Sequence, residues 1–327
     1  MKAIVITQPG GPEVLALADR PLPEPVAAQV RVRVLAAGLN RLDIMQRQGK
    51  YPAPPTAPAD IPGVEFAGIV DAIGPQVQDW EIGQHVFGLV GGGAYAEYII
   101  THERLLASVP ENLSFPEAAA VPEAFMTAHD ALFTQANLKM SERVLIHAIG
   151  SGVATAALQL ANAIGCTTFG TSRTPEKLHR AQELGLTQTL PLPEFLPALQ
   201  NATNQQGVDV IIDFVGKLYL SQNLQALSPQ GRLVQVGLLG GNDAEINLGV
   251  VLQKRLRIVG TALRSRSLEE KAFVTRKFND QVVPLLSNKK VRPIVDKVFP
   301  LSEAAQAHRY LENNANFGKV VLQVGDE

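Results

Sequence analysis

Residues 143–161 limit the folds open to this chain more than any other stretch, because they combine a buried strand, a turn of small residues and an amphipathic helix. The apolar run Val144–Ile149 has the length of a strand. The turn after it consists of Gly150, Ser151, Gly152 and Val153. Such a turn presents free backbone N–H groups and the positive end of a helix dipole, which suit the pyrophosphate of a dinucleotide. Ala154 stands where a third glycine is usual, so an ordinary strand-to-helix turn stays open as the alternative.

The region from about 124 to 263 continues this alternation of strand and helix. Strands are predicted at 143–149, 167–171, 208–214, 231–237 and 256–262, with a weaker one near Thr189. Helices are predicted between them at 153–164, 175–184, 194–204 and 218–227. Apolar strands separated by helices imply a parallel sheet covered on both faces. The sequence therefore predicts an α/β protein in which residues 124–263 form a doubly wound Rossmann domain.

The flanking regions are predicted to form one β-rich domain, 1–123 together with 264–327, with the nucleotide domain as an insertion. Strands are expected at Val30–Val34, Val64–Val70 and Ala94–Ile100, and an irregular path over the proline-rich segment Tyr51–Pro58. The last part is too short to fold alone and should pack on the first. Its predicted elements are a long helix at 268–286, a strand at 294–299, a helix at 302–311 and a strand at 319–324.

Composition excludes several classes of protein. A chain of 327 residues with 46% hydrophobic and 18% charged residues predicts about two well-packed domains. A formal net charge of −2 gives no field attractive to nucleic acid or to an anionic membrane. The single cysteine, Cys166, excludes an intrachain disulfide, and neither a signal peptide nor a membrane span is apparent. We expect a cytoplasmic protein with a small-molecule substrate and no nucleic-acid partner.

The end of the second strand in the nucleotide region bears on which dinucleotide is bound. Sites for NAD usually place an acidic residue there to hold the ribose hydroxyls. This chain instead has Thr171, Ser172 and Arg173, with Lys177 one helical turn further on. Hydroxyls and cations favour a 2′-phosphate, so the sequence predicts NADPH over NADH. A solvated helix start is the alternative interpretation of Arg173 and Lys177.

Six blocks in order carry a resemblance to a known family. They are Ala37–Gly49 with Tyr51, Ala120–Ala128, His147–Ala154, Val236–Gly241, Leu263–Arg266 and Asn316–Leu322. With these blocks the chain resembles, nearly end to end, the zinc-free quinone oxidoreductases of the medium-chain dehydrogenase/reductase superfamily, the zeta-crystallin-like enzymes. Within these it looks most similar to the tumour-suppressor-inducible quinone oxidoreductase branch.

The resemblance implies a GroES-like catalytic domain, a cleft between it and the Rossmann domain, NADPH-dependent reduction of quinones, and a homodimer. It also implies an enzyme without a metal. Zinc-dependent relatives place a cysteine where this chain has Asn40, a His-Glu pair at Val64-Glu65, and a further ligand near Glu123. Tetrahedral zinc prefers thiolate and imidazole ligands, which these positions do not supply.

The resemblance also implies roles for individual residues. The diphosphate turn is carried over to Gly150, Ser151, Gly152 and Val153, and the 2′-phosphate pocket to Ser172, Arg173 and Lys177. Further cofactor neighbours are expected at Thr127, Gly237, Gly240, Leu263, Arg264 and Asn316. The substrate pocket is expected to contain Asn40, Asp43 and Tyr51, with Asn40 and Tyr51 hydrogen-bonded to a quinone oxygen. A tyrosine that many members place near the adenosine phosphate falls at Leu192, so that contact should be lost.

Structural alternatives compete with several of these roles. Tyr51 could equally pack within the proline-rich loop, and we favour a structural role for Asp43, either beside Arg41 or as a helix cap. We expect His147 to be a core histidine with satisfied hydrogen bonds and Cys166 a small buried hydrophobe.

Two alternatives to a quinone reductase remain at the level of function. One is NADPH-dependent reduction of an activated C=C bond in an enone or alkenal. The other is a non-enzymatic NADPH-binding protein of the crystallin or RNA-binding sort.

Overall fold

In the computed structural model, which describes residues 1–326, the chain divides into two units. The first comprises Met1–Met126 and the chain from Leu263 onward, and the second comprises Thr127–Ala262. Sequence prediction sets the borders at 123 and 264. The first border differs because a helix, Pro122–His129, runs across it, so no loop marks the division. We call these the catalytic unit and the nucleotide unit.

Residues 1–126 are mainly β-structure. The strands are β1 (Lys2–Ile6), β2 (Leu15–Asp19), β3 (Gln29–Gly38), β4 (Glu65–Ile73), β5 (His85–Leu89), β6 (Tyr98–His102) and β7 (Leu106–Ser108). The helices are α1 (Arg41–Arg47), α2 (Phe115–Ala119) and α3 (Pro122–His129). The prediction of a strand over Ala94–Ile100 is wrong at its start. Ala94 and Tyr95 instead donate their backbone N–H groups to Gly63 and Pro62, so β6 begins only at Tyr98.

Residues 127–262 form the parallel sheet that the sequence predicts. The strands are β8 (Arg143–Ile146), β9 (Thr167–Ser172), β10 (Gln188–Pro191), β11 (Val208–Asp213), β12 (Leu227–Gln235) and β13 (Arg257–Gly260). The helices are α4 (Gly152–Ala163), α5 (Pro175–Glu183), α6 (Phe195–Ala202), α7 (Leu220–Ala226) and α8 (Leu248–Lys254). All neighbours pair in parallel, in the order β10-β9-β8-β11-β12-β13, which confirms a doubly wound Rossmann fold.

The C-terminal part completes the sheet of the catalytic unit. Its elements are α9 (Leu268–Gln281), α10 (Val283–Ser287), β14 (Val295–Pro300), α11 (Ala304–Glu312) and β15 (Lys319–Gln323). The prediction of one helix over 268–286 is wrong, because Pro284 lacks the N–H that a continuous helix needs and two helices result. β15 pairs antiparallel with β3 at Ala36–Gly38, and the sheet runs β14-β15-β3-β4-β5-β7, with β6 also on β3.

Each unit has its own hydrophobic core. In the catalytic unit, alternate residues of β3 such as Val30 and Val32 are buried against Phe66 of β4. In the nucleotide unit, Leu145 of β8 lies among the buried residues of β9 and β11. Across residues 1–326, no helix combines the length and the hydropathy needed to cross a membrane. The nucleotide unit is thus inserted into the catalytic unit, and each has a core of its own.

Candidate functional site

The glycine turn at the carboxyl end of β8 leads directly into α4. Ser151 is the N-cap of this helix, and its hydroxyl oxygen accepts the N–H of Ala154 at 3.4 Å. The N–H groups of the first turn have no partner within the helix. Gly150 lies beneath the stem of Lys177, whose Cδ would be 2.7 Å from any Cβ at this position. The absence of a Cβ at Gly150 therefore lets the Lys177 side chain lie directly against the turn, which places a cation beside a potential anion site.

The segment after β9 supplies the residues predicted to hold a 2′-phosphate. Ser172 ends the strand, and its hydroxyl accepts the N–H of Thr174 at 3.1 Å. Arg173 is exposed, and Lys177 lies in the first turn of α5. Thr171 differs from them because it is fully buried, with its hydroxyl 2.8 Å from Nδ1 of His147. It is part of the core beneath the site.

His147 belongs to a buried chain of hydrogen bonds whose direction is fixed by chemistry. The Asn223 amide donates to a carboxylate oxygen of Asp213 at 3.1 Å, so the Asn223 carbonyl oxygen faces the imidazole. Nε2 of His147 must then be the donor at 2.7 Å, and Nδ1 accepts from the Thr171 hydroxyl. Burial lowers the pKa of this imidazole, which keeps it neutral. The prediction of a satisfied core histidine is confirmed.

Asp213 extends this chain into the loops that follow β11 and β12. Its carboxylate accepts the N–H groups of Val215 and Gly216 at 2.6 and 3.1 Å. The neighbouring loop is held by backbone bonds from Gly237 to the Asp213 carbonyl and from Gly240 to the Val215 carbonyl. Both predicted glycines therefore lie in a loop with a fixed path at the carboxyl edge of the sheet.

Thr127, predicted to meet the nicotinamide, carries a buried hydroxyl that has no hydrogen-bond partner in residues 1–326. Native proteins rarely leave such a group unsatisfied, and a ligand is one reason for it. The open glycine turn, the lysine above it and this hydroxyl together fit a nicotinamide dinucleotide.

In the catalytic unit, Asn40 is joined to a buried ion pair. The Lys319 ammonium lies 2.6 Å from Oε1 of Glu65 and donates to the side-chain oxygen of Asn40 at 2.7 Å. Nδ2 of Asn40 donates to the same Glu65 oxygen at 2.8 Å. The other Glu65 oxygen accepts the backbone N–H of Glu123 at 2.7 Å, and the third ammonium hydrogen goes to the Leu39 carbonyl at 2.6 Å. Glu65 is 0% exposed and Lys319 5%, so both charges depend on these contacts.

Asp43 lies behind Asn40 and is completely buried. Its carboxylate accepts the N–H of Asn40 at 2.8 Å at the start of α1, the N–H of Gly63 at 3.2 Å and the hydroxyl of Tyr95 at 3.1 Å. Burial raises the pKa of this carboxyl to about 6, although the Asn40 N–H and the Lys319 charge favour the ionised form. The structure thus gives Asp43 the helix-capping position that the sequence favours, with no face toward solvent.

Arg264 and Tyr51 form a second group in the catalytic unit. The guanidinium donates to the carbonyl of Gly91 at 2.7 Å, to the carbonyl of Tyr51 at 3.4 Å and to the side-chain oxygen of Gln46. It also lies 5.2 Å from the centre of the Tyr51 ring. Arg264, predicted as a cofactor neighbour, therefore anchors the proline-rich loop to α1 and to the backbone at Gly91. The Tyr51 backbone carbonyl and ring both contact its guanidinium.

The two remaining predicted cofactor neighbours in the catalytic unit are buried. The Asn316 amide donates to the Gly318 carbonyl at 2.7 Å and so shapes the turn before β15. Leu263 is 7% exposed and borders a very small cavity with Met126. Neither contact identifies a ligand.

The residues around Asn40 do not fit a zinc ion. The donors are an amide and one carboxylate, with no thiolate or imidazole, and the Lys319 ammonium occupies the oxygens that a cation would need. Residues 1–326 contain no cluster of three or more histidine, cysteine or acidic side chains able to hold a metal.

Lys319 is the residue of this site that sequence reasoning missed. The sequence analysis places it only in the final strand. A signal existed, because a lysine that leads into the apolar residues Val320–Leu322 can be buried with them only if its ammonium is paired with an acid. The acid is Glu65, which the sequence places only on a strand and at the His-Glu position of zinc-dependent relatives.

Family models match two parts of the chain. The model described as alcohol dehydrogenase GroES-like domain matches residues 26–111, and the one described as zinc-binding dehydrogenase matches residues 152–278. A quinone oxidoreductase of Sus scrofa is 34% identical over 330 residues, covering 98% of this chain and 97% of the relative. The chain belongs to the medium-chain dehydrogenase/reductase superfamily. This membership confirms the resemblance and makes the chain an NAD(P)-dependent oxidoreductase.

Other members of the superfamily have different names. The human synaptic vesicle membrane protein VAT-1 homolog-like is 31% identical over 342 residues, covering 99% of this chain and 81% of that protein. Among solved structures, an NAD-dependent alcohol dehydrogenase is 35% identical with a TM-score of 0.89, covering 99% and 100% of the two chains. A quinone oxidoreductase of Pseudomonas syringae pv. Tomato DC3000 is 30% identical with a TM-score of 0.89, covering 99% of each.

Two further solved structures bear on cofactor and reaction. A mycobacterial protein complexed with NADPH is 27% identical with a TM-score of 0.88, covering 99% and 100% of the two chains. CurK enoyl reductase is 27% identical with a TM-score of 0.87, covering 99% of each.

The buried carboxyl of Asp43 should impose a pH dependence on stability. Its pKa of about 6 in the folded chain exceeds its usual 3.8, so the folded state retains this proton to higher pH than the unfolded state does. The contribution of Asp43 to stability is therefore complete below about pH 4 and falls as pH rises through 6. We expect the unfolding free energy of the parent chain minus that of Asp43→Asn to decrease between these values and to level off above them. Denaturant titrations at several pH values measure this, and a difference that grows with pH contradicts the assignment.

Proposed function

We propose that this chain is an NADPH-dependent quinone oxidoreductase that works without zinc. The observation that carries the proposal is the site around Asn40, where a buried ion pair holds the amide in place. Zinc-dependent relatives have a cysteine ligand of the metal at this position. Compared with a metal ion, an amide N–H polarises a substrate oxygen only weakly. The hydride acceptor must therefore be reactive by itself, and a quinone meets this requirement. The names of the quinone oxidoreductase relatives support the same substrate class.

In the proposed mechanism, residues of the nucleotide unit bind the cofactor and residues of the catalytic unit bind the quinone. NADPH, when bound, would supply a hydride from C4 of its nicotinamide. The backbone N–H groups of Gly152 and Val153 would hold its diphosphate, with Lys177 beside the turn. In the catalytic unit, Asn40 and the Tyr51 hydroxyl hydrogen-bond a quinone oxygen and so stabilise the negative charge that develops there. Asp43 acts by fixing the start of α1, because it binds the backbone N–H of Asn40, the residue that precedes this helix.

Selectivity for NADPH is proposed to come from Arg173 with Lys177. Relatives of this chain include both an NAD-dependent enzyme and an NADPH complex, so selectivity has to reside in residues that vary. No acidic side chain follows β9 before α5, so nothing there repels a 2′-phosphate.

Removing the Arg173 charge tests this selectivity. We expect Arg173→Ala to raise the dissociation constant of NADPH about 10-fold, the loss of one charge-assisted hydrogen bond, while that of NADH changes little. Fluorescence titration measures both constants. Lys139→Ala is the matched control, because Lys139 is an exposed cation at the opposite, amino-terminal end of β8. Equal constants for the two cofactors in the parent chain would refute NADPH selectivity.

A second candidate reaction is reduction of an activated C=C bond, which the likeness to CurK enoyl reductase favours. The two reactions need the same cofactor position but different electrophiles. We expect NADPH oxidation by a panel of quinones to exceed that by enones and alkenals. We also expect Asn40→Ala to lower kcat/KM for quinones about 10-fold or more. Faster turnover of enones contradicts the quinone assignment, and tight NADPH binding without turnover of either class would indicate a non-enzymatic role.

We also propose a homodimer formed through the open edge of the nucleotide sheet. β13 is the last strand of that sheet, and Ile258 on it is exposed. The neighbouring helix α8 exposes Leu248 and Leu252, which are 70% and 78% accessible. An apolar sheet edge of this kind is a template for pairing with a second copy. Sedimentation velocity should give a dimer in the parent chain and a monomer for Leu252→Asp with Ile258→Asp, whereas a monomeric parent chain contradicts the proposal.

A further inference from the structure

The amide of Asn40 has only one group left to offer a ligand. Its oxygen faces the Lys319 ammonium, which can only donate, and its nitrogen faces the Glu65 carboxylate, which accepts. The orientation of the amide is therefore fixed by its neighbours. One hydrogen of Nδ2 goes to Glu65, and the second has no partner within residues 1–326.

The two charged partners are themselves held in place. All three hydrogens of the Lys319 ammonium are used, by Glu65, by Asn40 and by the Leu39 carbonyl. The second oxygen of Glu65 is bound by the Glu123 backbone. In addition, Gly38 on β3 leaves room for Glu65, because a Cβ there would overlap the carboxylate. If the amide flipped, its oxygen would face the Glu65 carboxylate and its nitrogen the Lys319 ammonium, so each buried charge would lose a hydrogen bond.

We infer that Glu65 and Lys319 are positioning residues that hold Asn40 as a hydrogen-bond donor toward the oxygen of an acceptor substrate. This inference rests on the proposed function, in which Asn40 binds that oxygen. It makes the site selective for the kind of group that it binds. A single N–H can bind a carbonyl oxygen or an oxygen gaining negative charge, whereas a freely rotating amide could also accept a hydrogen bond from an alcohol or a hydroquinone. The pair therefore favours binding of a carbonyl-type acceptor.

A mutant cycle on kcat/KM for a quinone tests the inference. Asn40→Ala is made in the parent chain and in the double variant Glu65→Leu with Lys319→Met, which removes both charges together and leaves neither unpaired. If the pair acts through Asn40, the double variant alone should lower kcat/KM about 10-fold or more, mostly in kcat. Adding Asn40→Ala to it should then cost less than about 3-fold, so the effects are strongly non-additive.

A matched control separates positioning from general damage. Arg47→Met with Glu312→Leu removes another buried ion pair of the catalytic unit, in which the two side chains are 1% and 27% exposed. It should lower the thermal midpoint without reducing the effect of Asn40→Ala. The NADPH dissociation constant should stay unchanged in both double variants.

The results distinguish the positioning role of Glu65 and Lys319 from the proposed role of Asn40 in binding the substrate. Additive effects of the pair and of Asn40→Ala overturn the positioning role. No effect of Asn40→Ala in the parent chain overturns the role of Asn40 in the proposed function instead. If the double variant does not fold, Glu65→Asp replaces it, because it keeps both charges but withdraws the carboxylate by one methylene from Nδ2. Asn40→Ala should then cost less in that background than in the parent, and an equal cost overturns the inference.

Discussion

The buried ion pair between Glu65 and Lys319 constrains more of the catalytic unit than any other interaction. It links β4 to β15 at the point where β3 passes into α1, and so joins the first and last parts of the chain. Two charges without solvent are stable only with full hydrogen bonding, which explains why Leu39, Asn40 and Glu123 all contribute to the pair. The geometry of the site follows from that need, because the amide of Asn40 is one of its required partners.

The nucleotide unit depends on a different buried network, which runs from Thr171 through His147 and Asn223 to Asp213. It crosses the sheet from β9 to β11 and α7 beneath the carboxyl edge, where the cofactor turn and the glycine loop lie. The neutral imidazole can serve as donor to one side and acceptor to the other, so it suits the middle of such a chain. The network gives the loops a fixed path. The buried Thr127 hydroxyl lies outside it and has no hydrogen-bond partner within residues 1–326.

Sequence patterns predicted the elements that adjacent residues specify, and they missed contacts between residues that are far apart in the chain. The strand, turn and helix of residues 143–161 are specified by adjacent residues, and the structure has all three. Helix α8 escaped prediction because Leu248–Leu252 is a short apolar run, in which periodicity alone cannot tell a helix from a strand. The partnership of Lys319 with Glu65 depends on the pairing of β15 with β3 and of β3 with β4, which no single sequence pattern predicts. For the same reason, the contacts of Arg264 with Gly91 and Tyr51 were not predicted from the sequence.

We propose that an ammonium–carboxylate pair and an amide replace a metal centre in this member of the superfamily. NADPH oxidation with a quinone, measured before and after exhaustive chelation and alongside elemental analysis, tests this most directly. We expect an unchanged rate in protein that contains far less than one metal ion per chain. Loss of the rate on chelation, with recovery when zinc is added, would contradict it.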